Sequence, residues 1–279
     1  MSKLLIKLLL LIAIIMIPLF LYARFIEPSR LTTADISLVK EGSGRSADAI
    51  TVAVFADTHF SSIYSPNDFE KVIALINARS PDIILFCGDL IDDYSRYEGS
   101  TADISEALLR LDASIGKFAV FGNHDHGGGA HRAYHEIMEN GGFRVLINES
   151  VRFDHIKLIL TGIDDFILGN GSTEFVRHTA DPDYFNFVFC HLPDVVDDLL
   201  EYNIDFMVAA HTHGGQINIP GYTHNFFPPY GRNYTKGIYH FDNDSKTGLY
   251  VNSGVATTIL PLRFLAPPEI TFFSLYIND

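Results

Sequence analysis

Five short stretches gather the residue types that bind cations and move protons. They are "FADTH" with Asp57 and His59, "CGDLIDD" with Asp89 and Asp92, "FGNHD" with Asn123 and His124, "FCH" with His191, and "AHTH" with His211 and His213. Carboxylate, carboxamide and imidazole together suit Mn, Fe or Zn, and suit Mg less well because Mg prefers oxygen alone. Two of the stretches space their donors as D-x-H and H-x-H. Alternate residues on an extended chain point the same way, so both members of each pair can face the same site. Gly214 and Gly215 follow the second pair and permit a tight turn beside it. Singly, each stretch is also an ordinary polar strand end.

The elements that must position these residues are visible as apolar runs of strand length. "AITVAVFAD", "DIILFCGD", "KFAVFGNHD", "FNFVFCH" and "DFMVAAH" each end in Asp, Asn or His. Helical periodicity separates them, most clearly in "SPNDFEKVIALINARS", "STADISEALLRLDA", "AHRAYHEIMENGG" and "PDVVDDLLEY". Strand–helix alternation followed by a strand-rich tail predicts an α/β fold with two stacked sheets. In open α/β sheets the ligand site lies beyond the carboxyl ends of the strands. Five buried strands ending in such residues exceed what chance supplies.

The chain has 279 residues, 47% of them apolar and 19% charged, with a net charge of −14. An acidic body argues against a basic nucleic-acid groove and against a polybasic grip on anionic lipid. The two cysteines, Cys87 and Cys190, end apolar runs and make no metal-binding pair spacing. Residues 4–23 form an apolar run of about the 20 residues that a membrane span requires. "LYA" ending at Ala23 is a poor cleavage signal, so the run reads as a retained transmembrane anchor. Lys3 and Lys7, ahead of the uncharged stretch from Leu8 to Tyr22, place the N-terminus in the cytoplasm and the body on the extracytoplasmic side, with Arg24 and Arg30 opposing this weakly. Residues 24–48, rich in Ser, Gly and Thr, read as a stem with one strand at "ADISLV"; residues 49–279 read as the catalytic domain.

In their order, the five stretches resemble the blocks of the calcineurin-like metallophosphoesterases: D-x-H, G-D-x-x-D, G-N-H-D/E, a lone H and G-H-x-H. The resemblance runs from Ile50 to the C-terminus. "HTHGGQI" and "RFLAPPEIT" are similar to the membrane-anchored bacterial branch, which includes phosphodiesterases and UDP-2,3-diacylglucosamine pyrophosphatases. The resemblance implies a four-layer α/β/β/α sandwich, here with one N-terminal transmembrane helix, and two divalent metal ions. It assigns Asp57, His59 and His213 to one ion, Asn123, His191 and His211 to the other, and Asp89 to both. Two such ions about 3.5–4 Å apart repel, and a shared carboxylate offsets that repulsion.

The resemblance further implies hydrolysis of a phosphodiester or pyrophosphate by a metal-bridging hydroxide, with His124 as general acid and Asp92 as the carboxylate that orients it. Arg232, Tyr234 and Lys236 in "YGRNYTKG" could neutralise a substrate phosphate. A lipid-linked substrate such as UDP-2,3-diacylglucosamine suits the anchor, although that precursor is cytoplasmic and the charge rule places the body outside. Ala210, Cys190, Leu192 and Ser253 depart from the residues usual at their positions and put the substrate pocket in question. The alternative is a catalytically silent interaction scaffold on the same fold. Such a scaffold should have lost the acid or some ligands, and this chain retains them all.

Overall fold

The apolar runs resolve, in a computed structural model that describes residues 3–40 and 49–277, into two six-stranded sheets. In chain order the strands are β1 (Thr32–Val39), β2 (Ile50–Phe55), β3 (Ile83–Phe86), β4 (Gly116–Ala119), β5 (Phe143–Val145), β6 (Glu149–Phe153), β7 (Leu158–Ile163), β8 (Phe185–Cys190), β9 (Phe206–Ala209), β10 (Gly237–His240), β11 (Gly248–Val251) and β12 (Glu269–Tyr276). The first sheet has the order β1-β12-β2-β3-β4-β5 and the second β10-β11-β9-β8-β7-β6. β2 to β5 run parallel, as do β7, β8, β9 and β11. Each set therefore delivers its carboxyl ends to one edge of its sheet.

Parallel strands covered on both faces read as continuous apolar runs, and β3 and β8 are buried at every residue. Val54, Leu85, Val120, Phe187, Val208 and Phe273 pack between the sheets. Over the first sheet lie helices α2 (Pro66–Asn77), α3 (Thr101–Leu109) and α5 (His131–Asn140), which bring Phe69, Ile104 and Ile137 against Phe55 and Phe86. The start of α2 is fixed locally: Asp68 Oδ2 accepts from the Ser65 backbone N–H at 2.9 Å, and Pro66 holds the first position.

Over the second sheet the helix expected at "PDVVDDLLEY" is instead a 3-10 helix, Pro193–Leu199. Of its buried Pro193, Val195, Val196 and Leu199, three recur every third residue, the period of the tighter coil. Helix, sheet, sheet and short helical turn make the four layers. Both cysteines are free, buried thiols within this packing.

The N-terminal helix α1 (Lys3–Leu21) is long and apolar enough to cross a membrane, and none of its 19 residues is buried against the protein. It continues as a π-turn (Tyr22–Ile26) and a 3-10 turn (Glu27–Ser29). Within the segment expected as a stem, β1 joins the sheet edge in parallel with β12. Residues 41–48 of that segment lie outside the described residues.

Candidate metal centre

Asp57 and His59 follow β2, Asp89 follows β3, and Asn123 opens the short helix α4 (Asn123–His126) after β4. His191 follows β8, and His211 and His213 follow β9. The first sheet thus contributes both carboxylates, and the second contributes three imidazoles. At the strand ends Asp57, His59, Asp89, His211 and His213 all take positive φ, between 39° and 69°. That conformation costs an L-residue roughly 1–2 kcal/mol, and Asp and His are among the residue types that adopt it more readily. Here the strain is concentrated where the donors converge.

Bare backbone lies against both carboxylates. A Cβ at Gly254, whose φ is +67°, would sit 2.5 Å from Asp57 Oδ2. One at Gly122 would collide with Asp89 Oδ1. Asp125 ties the loops together from beneath: its carboxylate accepts from the backbone N–H groups of Asp89 (2.7 Å), Leu90 (2.8 Å) and Gly122 (2.8 Å).

The donors form two buried, adjoining groups, Asp57–His59–His213 and Asp89–His191–His211, and a third, less buried group, His59–Asp92–His124, shares His59; within each group the ligand atoms lie within 4.8 Å of one another. His59 Nε2 and His213 Nε2 face each other at 3.2 Å. Asp57 Oδ1 is 3.7 Å from His213 Nε2. Asp89 Oδ2 lies 3.2 Å from His191 Nε2 and 3.6 Å from His59 Nε2, so it stands between the groups.

Both oxygens of Asp57 and Oδ1 of Asn123 are buried without a hydrogen-bond partner. Most buried polar atoms in proteins are paired. Unpaired oxygens beside imidazole nitrogens that face one another are a donor set that fits divalent cations with nitrogen and oxygen preferences.

Charge is divided sharply among these residues. Burial alone would raise the Asp89 carboxyl, but His191, His124 and His59 outweigh it and hold Asp89 well below the usual range. Burial would lower His191, yet Asp89 beside it lifts the imidazole to about 10. Burial, with the neighbouring His191, pushes His211 down to about 3. Burial and His59 push His213 well down. Asp57, fully buried, is raised to about 6 by desolvation.

His124 stands beside both groups. Its backbone N–H donates to Asp89 Oδ1 at 2.9 Å, and its Nδ1 lies 2.5 Å from the Asp92 carbonyl oxygen. Burial would lower this imidazole, but Asp89 and the Asp92 carbonyl raise it. The Asp92 carboxylate does different work: Oδ1 is 3.2 Å from His59 Nδ1, accepts from the Thr258 hydroxyl at 2.8 Å, and is 4.0 Å from His124 Nδ1. Asp92 therefore meets His124 mainly through its backbone and His59 through its side chain.

A chamber of about 550 Å³ opens over the donors. Asp89, Asn123, His124, His211 and His213 line one side, and Ile217, Ile219, Phe226, Phe227, Ile259 and Leu260 the other. Arg232, Tyr234 and Lys236 are not among its lining residues. The Tyr234 hydroxyl donates to Asp197 Oδ1 at 2.7 Å, and the backbone of Arg232 is held by Asp194.

Sequence reasoning passed over Arg263, which is fully buried beneath His213. Its guanidinium donates to the carbonyls of Ser253 (2.9 Å) and Ala266 (2.8 Å) and reaches His213 Nδ1 at 3.4 Å. A lone arginine inside "LPLRFLAPP" was the available signal.

Comparison with known proteins agrees with this geometry. The calcineurin-like phosphoesterase family matches residues 50–215. The metallophosphoesterase YkuE of Bacillus subtilis (strain 168) is 37% identical over 257 residues, covering 91% of this chain and 88% of the relative. A metallophosphoesterase of Aquifex aeolicus (strain VF5) is 26% identical, over 79% of this chain and 82% of its own. The phosphodiesterase YaeI of Escherichia coli (strain K12) is 27% identical, over 80% of this chain and 81% of its own. The chain belongs to the calcineurin-like metallophosphoesterases, hydrolases that act on phosphate esters and bind divalent metals.

Proposed function

We propose that this chain hydrolyses a phosphodiester or pyrophosphate bond in an amphiphilic, lipid-linked substrate. In this reading Asp57, His59 and His213 hold one divalent ion, Asn123, His191 and His211 hold a second, and Asp89 serves both. Mn²⁺, Fe or Zn²⁺ suits the mixed donors, with Mg²⁺ a poorer match. When bound, such ions neutralise phosphate charge and lower the pKa of a water molecule.

The observation that carries the reading is the place of His124. It stands outside the two buried groups, its backbone binds Asp89, and its Nδ1 is taken by the Asp92 carbonyl. That leaves Nε2 to hand a proton to the leaving oxygen, and the neighbouring Asp89 favours the protonated ring. Asp92 orients this imidazole through its carbonyl and steadies His59 through its carboxylate. The apolar side of the chamber supports a substrate with a hydrocarbon portion. In the same reading α1 anchors the body, residues 49–279, to the extracytoplasmic face of the membrane, in keeping with Lys3 and Lys7 in its first turns.

The test is His124→Ala in the full chain, assayed with Mn²⁺ on a chromogenic phosphodiester. Turnover should fall about 10²–10⁴-fold while bound metal, measured by elemental analysis, stays constant. Unchanged turnover would remove His124 from its role.

A further inference from the structure

The chamber's apolar side is formed by two loops that carry no Asp, Glu, Lys or Arg, residues 214–231 and 254–262, although the chain as a whole carries a net charge of −14. Large apolar side chains on these loops point to water: Ile259 is 89% exposed, Phe226 76% and Leu260 51%. Ile259 is also held at a φ of 59°. A β-branched residue in the left-handed region is a genuine outlier, and strain of this kind collects at functional surfaces. Exposed and strained, it is unfavourable in water on both counts.

Both loops are tied to the base of α1. Arg263 N donates to Ala23 O at 2.9 Å, and Ala266 N donates to Glu27 Oε1 at 2.6 Å. Tyr22 packs edge-on against Phe264, with ring centroids 6.4 Å apart. Phe264 pairs in turn with the other loop: Asn218 N donates to Phe264 O at 2.7 Å, and Phe264 N donates to Gln216 O at 2.8 Å. The Gln216 side chain then bridges back to the carbonyls of Thr258 (2.9 Å) and Leu260 (3.0 Å). Phe25, Ile26 and Leu265, exposed at the same junction, extend the apolar surface from the rim to the helix.

From this continuity we infer that the rim of the chamber, centred on Ile259 and Phe226, is a second membrane-contact surface that seats the mouth of the site on the lipid bilayer. The inference rests on the reading of α1 as a membrane helix. The end of such a helix lies at the lipid–water interface. Loops hydrogen-bonded to Ala23 and Glu27, within a few residues of that end, are held at the same level. An uncharged apolar rim there meets acyl chains at little desolvation cost, as the apolar face of an interfacial helix does. An amphiphile could then enter the chamber from the bilayer side without crossing water.

The chain contains no tryptophan, so one introduced tryptophan reports its own surroundings. The full chain, reconstituted in phosphatidylcholine vesicles with and without brominated acyl chains, is compared in four single variants. Ile259→Trp and Phe226→Trp probe the rim, and Leu10→Trp probes α1. Leu109→Trp is the water-exposed reference: Leu109 ends α3, and its carbonyl lies 3.5 Å from Nζ of Lys117 near the start of β4, at the strands' amino ends.

Both rim variants should emit to the blue of Leu109→Trp and lose most of their emission to brominated lipid, while Leu109→Trp is unaffected. Rim variants that behave like Leu109→Trp overturn the inference. If Leu10→Trp is quenched in that case, the anchor reading survives and only the rim fails; if it is not, both fail. A blue shift without quenching that grows with protein concentration would give the patch to a second copy of the chain and would equally overturn the bilayer assignment.

Discussion

Asp89 and Ile259 border the same chamber and share the same unusual backbone, with φ values of 62° and 59°, but they are 2% and 89% exposed. Asp89 belongs to the donor cluster, where strain falls on residue types that tolerate it and neighbours hold it in place. Asp125 pins the Asp89 backbone, and three histidines balance the carboxylate charge. Ile259 belongs to the rim, where strain falls on a residue type that resists it and no burial offsets the exposure. The cluster explains its own strain through the contacts it makes. At the rim, Ile259 has no comparable burial to account for its strain, in keeping with the bilayer seat proposed for it. One wall of the chamber therefore has its strained residue buried and pinned within the folded chain, and the other has its strained residue exposed.

The largest break in this comparison should come from Asp89→Ala. Removing the carboxylate that stands between the two donor groups should leave the chain without a full complement of Mn²⁺ by elemental analysis and with phosphodiester turnover at background. Retention of two ions per chain would show that the groups do not depend on a shared oxygen.

Asp92→Asn should act more gently, because it alters what supports His59 while keeping the carbonyl that holds His124. Supporting residues of this kind typically contribute 10–100-fold in metal affinity. A loss of about that size is expected in Mn²⁺ titrations, with turnover at saturating Mn²⁺ largely kept. Equal losses in both would mean that the carboxylate acts through His124 after all.

The pH dependence of metal uptake has a definite sign. His191, raised to about 10 by Asp89, carries a proton at neutral pH that an incoming cation must displace. His211 and His213 are pushed down, are already neutral there and release nothing. At neutral pH binding should release about one proton per chain, and affinity should fall about tenfold for each unit of acidification down to about pH 6, and more steeply below it, where Asp57 also takes up a proton. Calorimetric titration in buffers of different ionisation enthalpy measures both; uptake without proton release would contradict the charge pairing of His191 with Asp89.

The smallest effect should come from Ile259→Gly, which sharpens the contrast at the rim. Glycine adopts positive φ without the steric penalty, so the detergent-solubilised chain should gain about 1 kcal/mol, or about 2–4 °C in Tm. Metal content should not change. A drop in Tm would mean that Ile259 stabilises the fold through contacts of its own.

The donor residues were legible because chemistry is written in residue type. Asp, Asn and His at the ends of buried apolar runs are distinctive wherever they occur, but the D-x-H and H-x-H pairs do not sit on the extended backbone expected for them: all four residues take positive φ, and His211 and His213 fall into different donor groups. The runs themselves were legible because strands covered on both faces need continuous apolar sequence. The short 3-10 helix at Pro193–Leu199 was less so, since its every-third pattern overlaps an α-helical one over seven residues. The two roles of Asp92 were not legible at all. Nothing in "GDLIDD" says that the carbonyl would face one histidine and the carboxylate another.

The amino-acid sequence by itself determined which side chains could bind cations, which segments had to be buried, and that one N-terminal helix was apolar enough to leave water. Those properties follow from side-chain chemistry and local periodicity, which act over a few residues. Only the tertiary structure decided that Arg263 lies beneath His213, that Gly254 makes room for Asp57, and that the chamber's apolar rim hangs from the base of α1. Those contacts join residues far apart in the chain. Their geometry is set by the register of the sheets and the turns at their edges, and no local pattern encodes it.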